Sequence, residues 1–276
     1  EISACLVGSE MCIRDRTLVK SNIHFKTSEL MREVPDGTIQ AVITSPPYWY
    51  LKDYGHVNQI GFGESYETYH KRLDKVWAEC YRALRCSGTM WIVIDKITFK
   101  DQIRHIPYDI VLHCKKLGFL LQDIVIWNKP TAIAGMTPRN LVNKHEYVLF
   151  FSRSRLFKFR LTTDASMSTP NHSEHARRLT DFWRFPVKAG SLRKTPNHKA
   201  PFPEELVRRI ILLSTDEGDV VLDPFVGSGT TMKVALQLQR KIIGYEINAT
   251  FRKVILQRMS DIVSSSPNPQ PDDRLD

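Results

Sequence analysis

No apolar run in this sequence approaches the roughly 20 residues that span a bilayer. The longest, such as residues 146–151, are the size of a strand. A membrane-spanning helix is therefore excluded on the pattern. Cysteine is sparse and unpaired: Cys5, Cys12, Cys80, Cys86 and Cys114 are odd in number and form no C-x-x-C spacing. That argues against a disulfide framework, a zinc site or secretion, and points to a reducing cytoplasm. No internal repeat is visible. The amino-terminal stretch lacks the positive start of a signal peptide, since Glu1 and Glu10 stand there. Residues 1–16 show neither helical nor strand period and read as a disordered or artefactual extension; the string from Cys5 to Arg16 resembles translated sequencing-adaptor DNA. Residues 261–276 form a polar, proline-rich tail expected to be disordered.

Acidic residues are scarce in one place. The 276-residue chain carries a net charge of +9 and a sequence pI of about 9.3, which favours polyanionic partners without identifying them. Between residues 152 and 200 there are eleven Lys and Arg against Asp164, Glu174 and Asp181. Nearly all the excess charge lies in that segment, which by itself fits a solvated loop as well as a binding surface.

Elsewhere the pattern alternates. Strands are expected at about 23–25, 41–44, 90–94, 123–127, 146–151, 220–222 and 241–245, with helices at 66–84, 106–116, 203–213, 230–238 and 249–259. In the first helix Tyr69, Leu73, Trp77 and Tyr81 recur every fourth residue and make one apolar face. Pro203 followed by Glu204 and Glu205 is a helix start. Strands alternating with helices imply an α/β fold, a doubly wound and mostly parallel sheet covered on both faces. Residues 152–199 break this rhythm and read as an inserted module over the sheet's edge.

Two stretches carry chemistry. The first is Thr44-Ser45-Pro46-Pro47-Tyr48-Trp49, where an apolar strand enters a loop fixed by two prolines. Consecutive prolines lock φ and remove two backbone donors. Carbonyls are left outward as acceptors, with a hydroxyl before them and an aromatic ring after. Such a site suits a flat molecule bearing an amino group: Tyr48 stacks on its face while Ser45 and the Pro46 carbonyl accept the amino hydrogens. A proline-rich turn with a chance aromatic is the plainer alternative.

The second stretch runs from Val220 through Asp223, Phe225, Gly227, Gly229, Thr230 and Thr231. It reads as a strand, a glycine turn and a helix start: Gly227 turns the chain, Gly229 lets backbone N–H groups approach a ligand, and the helix N-terminus favours an anion. After the next strand, Glu246 stands where a carboxylate can hold both hydroxyls of a ribose. Met232 occupies the place of the third glycine of G-x-G-x-x-G, which favours S-adenosylmethionine over a dinucleotide. No metal is called for.

With both stretches in hand, residues 22–259 resemble the amino-DNA methyltransferases of restriction–modification systems, in the permuted "beta" arrangement where the catalytic half precedes the cofactor half. The serine form of the Thr44–Trp49 motif is typical of cytosine-N4 enzymes, whereas adenine enzymes more often carry Asp or Asn at the position of Ser45. The segments Ile60 to Glu64, Ile126 to Pro130 and His145 to Phe151 also look like family segments. The resemblance implies a Rossmann-like class I methyltransferase sheet with one antiparallel strand. It divides the chain into a catalytic half at 17–151, a target recognition region at 152–199 and an S-adenosylmethionine-binding half at 200–260. It further implies catalysis by Ser45, Pro46, Pro47 and Tyr48, and cofactor contacts from Lys199 and Phe202 beside Asp223, Phe225, Gly227, Gly229, Thr230 and Glu246.

Double-stranded DNA would be held by Arg153, Arg155, Arg177, Arg178, Arg184, Arg193 and Lys194, with the target base flipped onto Tyr48. Adenine-N6 transfer on the same scaffold, an inactive DNA-binding relative and an RNA or protein methyltransferase are the alternatives. Carbon-5 cytosine chemistry would need a Pro-Cys loop, and no cysteine here follows a proline. Such enzymes act in the cytoplasm of prokaryotes or phage-infected cells, beside a cognate restriction endonuclease, as monomers or homodimers. Lys129 is a further residue near the pocket; His145 and Glu146 read as structural strand-end residues. One departure stands out: Thr27 occupies the position where the family places an aspartate near the cofactor adenine.

Overall fold

The computed structural model describes residues 22–130, 141–160, 179–186 and 202–265. Expectations that fall on Cys5, Cys12, Arg177, Arg178, Arg193, Lys194 and Lys199, and those on residues 1–21 and 266–276, lie outside them.

The elements in chain order are β1 (Asn22–His24), β2 (Ile39–Thr44), α1 (Tyr66–Ala83), β3 (Leu84–Ile94), β4 (Ile97–Phe99), β5 (Gln102–Arg104), α2 (Ile106–Lys116), β6 (Leu120–Asn128), β7 (His145–Ser152), β8 (Phe182–Arg184), α3 (Glu204–Ser214), β9 (Val220–Asp223), α4 (Thr230–Gln237), β10 (Lys241–Tyr245) and α5 (Arg252–Ser265), the last preceded by a 3₁₀ turn over Ala249–Phe251. Eight strands form one sheet in the order β1-β10-β9-β2-β3-β7-β6-β8, and β4 pairs only with β5. Every pairing in the large sheet is parallel except the two made by β7, so β7 is the single reversed strand.

Strand alternation splits the core in two. On β3, Met90, Ile92 and Ile94 face the side covered by α1 and α2, while Trp91 and Val93 face the side covered by α3 and α4. The four-residue stripe of α1 is the reason it packs: Tyr69, Leu73 and Trp77 are fully buried. Ser65 caps this helix by accepting the Thr68 N–H.

Several boundaries differ from the sequence pattern. β3 begins at Leu84, directly after α1, because Leu84 is already extended (φ −65°, ψ 143°). Pro203 is the residue before α3 rather than its first helical residue. Residues 261–265, expected to belong to the tail, are helical, since α5 continues to Ser265. The β4–β5 ribbon and β8 were not visible in the pattern, each strand being three residues long. β8 belongs to the supposed insert, yet it extends the main sheet: Trp183 pairs with Trp127 and Arg184 with Asn128.

At the amino ends of the strands a buried ion pair joins Arg85 to Asp219 at 2.9 Å, and Lys158 adds a second contact to Asp219 at 2.9 Å. At the carboxyl ends, Gly244 of β10 leaves room for its neighbours: a Cβ there would stand 2.3 Å from Val226 Cγ2 and 2.8 Å from Ile23 Cδ1. Gly244→Ala should therefore overpack the contact between β1, β10 and the loop after β9. We expect a loss of about 1–3 kcal/mol in urea unfolding; unchanged stability would show that the loop yields freely.

Candidate active site

The carboxyl ends of β2 and β9 lie side by side although their residues are far apart in the chain, with Val42 paired to Leu222. This is where the strand order changes direction, the usual position of a ligand crevice in such sheets. Thr44 Oγ1 donates to Asp223 Oδ1 at 2.7 Å across the junction, and the same oxygen accepts the Phe225 N–H at 3.0 Å. Two loops leave from this junction, and they carry the two chemically suggestive stretches.

The loop after β2 is held on all sides. The Pro47 carbonyl accepts from Tyr69 Oη at 2.9 Å. Trp49 is buried against Tyr66 and Phe99, and its indole N–H donates to the Glu64 carbonyl at 2.9 Å. Tyr48 Oη donates to Glu146 Oε2 at 3.1 Å, and Lys129 Nζ holds the other carboxylate oxygen at 2.8 Å. Burial, followed by the charge of Glu146, raises the Tyr48 phenol far above its ordinary range, so it remains a donor. Among the described residues no side chain is hydrogen-bonded to Ser45 Oγ.

The loop after β9 turns through two left-handed glycines, Gly227 (φ 54°) and Gly229 (φ 89°). The amides of these two glycines bond within the protein. Gly227 N–H donates to Glu246 Oε2 at 2.8 Å, and Gly229 N–H donates to the Val226 carbonyl at 2.9 Å. Glu246 Oε1 accepts the Asn248 N–H at 2.8 Å. Burial raises the Glu246 carboxyl despite these two donors. A Cβ on Gly227 would meet nothing within 4 Å, so the chain there borders open space.

That space is a cavity of about 370 Å³ lined by both loops. Ser45, Pro46, Pro47 and Tyr48 contribute one side; Phe225, Gly227, Thr230 and Glu246 the other, with Phe202. Thr27 also lines it, its hydroxyl bonded to the N–H and carboxylate of Glu29. Asp223 and Gly229 are not among the residues that line the cavity. Asp223 is fully buried and sits beneath the cavity as the tie between the loops, and Gly229 is the residue that caps α4. Glu146, read as a structural strand-end residue, lines the cavity, where its carboxylate meets Tyr48. Lys129 does not line the wall but sits against that carboxylate. Asp95 and Tyr54 line the cavity without having been singled out. Nothing in the sequence marks Asp95 beyond its place after a buried strand. Its carboxyl is pushed up to about 6, by burial first and by Glu146 second.

The proposed DNA contacts divide by position. Arg184 on β8 pairs with Asn128 at the end of β6 that leads to the cavity. Arg153 is at the other end of the sheet, with its guanidinium on the Leu84 carbonyl and over the Tyr81 ring at 5.2 Å. Arg155 is exposed in the same turn, which is bonded to Cys86 and Ser87. From Ser87 to Asp95 β3 advances roughly 25 Å at the rise of a strand. Arg153 and Arg155 are therefore remote from the cavity.

A family model described as DNA methylase, covering the N6 and N4 enzymes, matches residues 39–257. The chain belongs to this family. The methylase is 30% identical over 262 residues to the Type II methyltransferase M.Cfr9I of Citrobacter freundii, covering 83% of this chain and 84% of the relative. It is 29% identical over 287 aligned positions to the Type II methyltransferase M.XycI of Xanthomonas campestris pv. cyanopsidis, covering 91% and 92%. Among solved structures, TTHA0409 of Thermus thermophilus, assigned as a DNA modification methylase, superimposes with a TM-score of 0.66 at 26% identity over 89% of this chain and 97% of that one. TTHA0409 has also been solved complexed with S-adenosyl-L-methionine. The PvuII DNA methyltransferase, described as cytosine-N4-specific, shares the fold with a TM-score of 0.65 at 20% identity, over 90% and 94% of the two chains.

Burial holds the Asp223 carboxyl up at about 6, against an ordinary 3.8. The folded methylase then keeps a proton at pH values where the unfolded chain has released it. This contribution to stability is fully present below about pH 4 and is lost as pH rises through about 6. In Asp223→Asn that part of the pH dependence should vanish. The measurement is the thermal midpoint of both proteins between pH 4.5 and 7; parallel curves would refute the raised carboxyl.

Proposed function

We propose that this methylase is a site-specific Type II DNA methyltransferase that modifies the exocyclic 4-amino group of cytosine in duplex DNA, with S-adenosylmethionine as methyl donor. The observation that carries the reading is one cavity bordered by Ser45 and Tyr48 on one side and by Gly227 and Glu246 on the other. The residues present suit the donor: a buried carboxylate at a strand end for the ribose, aromatic side chains Phe225 and Phe202, and open space where Gly227 has no side chain. When bound, S-adenosylmethionine supplies a methyl group on an electron-poor sulfonium.

The chain's own part is positioning. A cytosine extruded from the duplex stacks on Tyr48, whose ring plane is fixed at its hydroxyl by Glu146 and, behind it, Lys129. Ser45 Oγ and the Pro46 carbonyl accept the two amino hydrogens. Those bonds draw the nitrogen lone pair out of conjugation with the ring and aim it into the cavity. Asp223 and Thr44 keep the two loops in register while this happens. In this reading Arg184, Arg177, Arg178, Arg193 and Lys194 contact DNA phosphate. A cognate restriction endonuclease in a prokaryotic cytoplasm is the biological setting that fits a Type II enzyme.

Plasmid DNA incubated with the protein and methyl-labelled S-adenosylmethionine, then digested to nucleosides for mass spectrometry, should carry label in N4-methylcytosine. Label in N6-methyladenine would overturn the choice of base and leave the positioning chemistry standing; no label on DNA would sink the proposal. Ser45→Ala should slow transfer about 100-fold or more with cofactor affinity close to that of the native enzyme. Glu246→Ala should instead weaken cofactor binding by about 1–3 kcal/mol, read by calorimetry.

A further inference from the structure

The cavity has an outer shelf that the chemistry above does not use. After β3, Asp95 and Lys96 line the cavity and the chain then turns into the β4–β5 ribbon. Ile97 pairs with Arg104, Thr98 with Ile103 and Phe99 with Gln102, leaving Lys100 and Asp101 as a two-residue tip. Both have positive φ, 49° and 61°, as in the type I′ turns that Asn-Gly fills most easily. A lysine in that conformation carries a cost that the turn itself does not require.

The two faces of the ribbon differ. Ile97 is buried beneath it, whereas Ile103 on the outer face is 62% exposed. Phe99 meets the Tyr50 ring edge-on at 5.0 Å, and Tyr50 stacks on Phe62 at 6.4 Å. Tyr50 is 53% exposed and also left-handed (φ 57°), its N–H held by the Gly61 carbonyl. Two residues before it stands Tyr48 of the cavity wall. An exposed apolar surface thus runs from the cavity rim to the ribbon, and Lys96, Lys100 and Arg104 stand beside it, with Asp95 next to Lys96 on the cavity wall, Asp101 at the tip and Asp109 on the hydroxyl of Tyr66, whose ring Arg104 overlies.

We propose that the β4–β5 ribbon and the Tyr50–Phe62 shelf form a second contact surface for duplex DNA beside the target base. This rests on the reading that the cavity accepts a base extruded from a duplex. A two-stranded ribbon fits a DNA groove, and apolar side chains at such contacts wedge between base steps. Lys100 at the tip meets phosphate, Ile103 meets the base steps, and Tyr50 supports the nucleotide next to the extruded one. Continuity with the cavity and the cationic border select DNA over an apolar protein partner.

The test uses the full-length protein, Lys100→Glu, Ile103→Ser and, as a remote charge reversal, Lys116→Glu at the far end of α2. Unchanged cofactor affinity in each establishes that it is folded. Lys100→Glu should weaken duplex binding about tenfold near 0.15 M salt and flatten the salt dependence by about one phosphate contact, with Lys116→Glu like the native protein. Ile103→Ser should slow methylation of duplex plasmid about tenfold and leave heat-denatured plasmid unaffected, since a single strand needs no wedge. Native duplex affinity, salt slope and duplex-to-denatured ratio in both ribbon variants would overturn the proposal. Failure of the native protein to methylate any DNA would instead remove the reading of the cavity, while the binding measurements still decide the ribbon's role.

Discussion

The hydrogen bond from Thr44 to Asp223 joins the ends of β2 and β9, and nearly everything functional in this protein is built outward from it. Its oxygen acceptor also receives the Phe225 N–H, so one buried carboxyl fixes the exit direction of both loops. The group is an unusual choice for a fully enclosed position, because burial disfavours its charge. Retaining it keeps two segments distant in sequence in one register, which a hydrophobic contact, being non-directional, would not do. Gly244 makes the same junction possible from below by letting Val226 and Ile23 approach β10.

Around this junction the two loops are stiffened by different means. The loop after β2 is fixed by its prolines and by bonds to Tyr69, Glu64 and Glu146, leaving Ser45 facing the cavity. The loop after β9 is fixed through Glu246, whose carboxylate spans from Gly227 to Asn248. A site whose work is to orient a flat base and a methyl donor depends on such rigidity, because small displacements of reacting groups are costly to rate. Asp95 and Glu146 meet at one wall with Lys129 behind the second, and desolvation followed by the nearby carboxylate pushes Asp95 up to about 6.

Among the described residues, part of the basic surplus of residues 152–199 is taken up in packing and ion pairs. Arg153 is consumed in packing against a carbonyl and a ring at the amino ends of the strands, and Lys158 in ion pairs with Asp216 and Asp219. Arg184 alone among the described basic residues of the insert that were assigned to DNA lies at the cavity end. The compensating surface is local in sequence to the catalytic half, in the ribbon after β3 and the aromatic shelf after Tyr48.

The α/β class, the strand–helix alternation, the amphipathic face of α1 and both loop motifs were legible in the sequence, because each is written in short-range periodicity or in backbone-restricting residues. Prolines 46 and 47 and glycines 227 and 229 dictate chain direction wherever they occur. The sequence alone thus determined what each loop is capable of. Which groups meet was decided only in three dimensions. Asp223 belongs by sequence to the glycine motif yet is turned beneath the cavity; Glu146 reads as the edge of an apolar strand yet holds Tyr48; three-residue strands such as β8 and those of the ribbon carry too little pattern to be seen. Arg153 and Arg184 are alike by charge and are separated by the reversal of β7, which carries the chain from one end of the sheet to the other. Position across a sheet is a long-range property, set by pairing partners that no local spacing records.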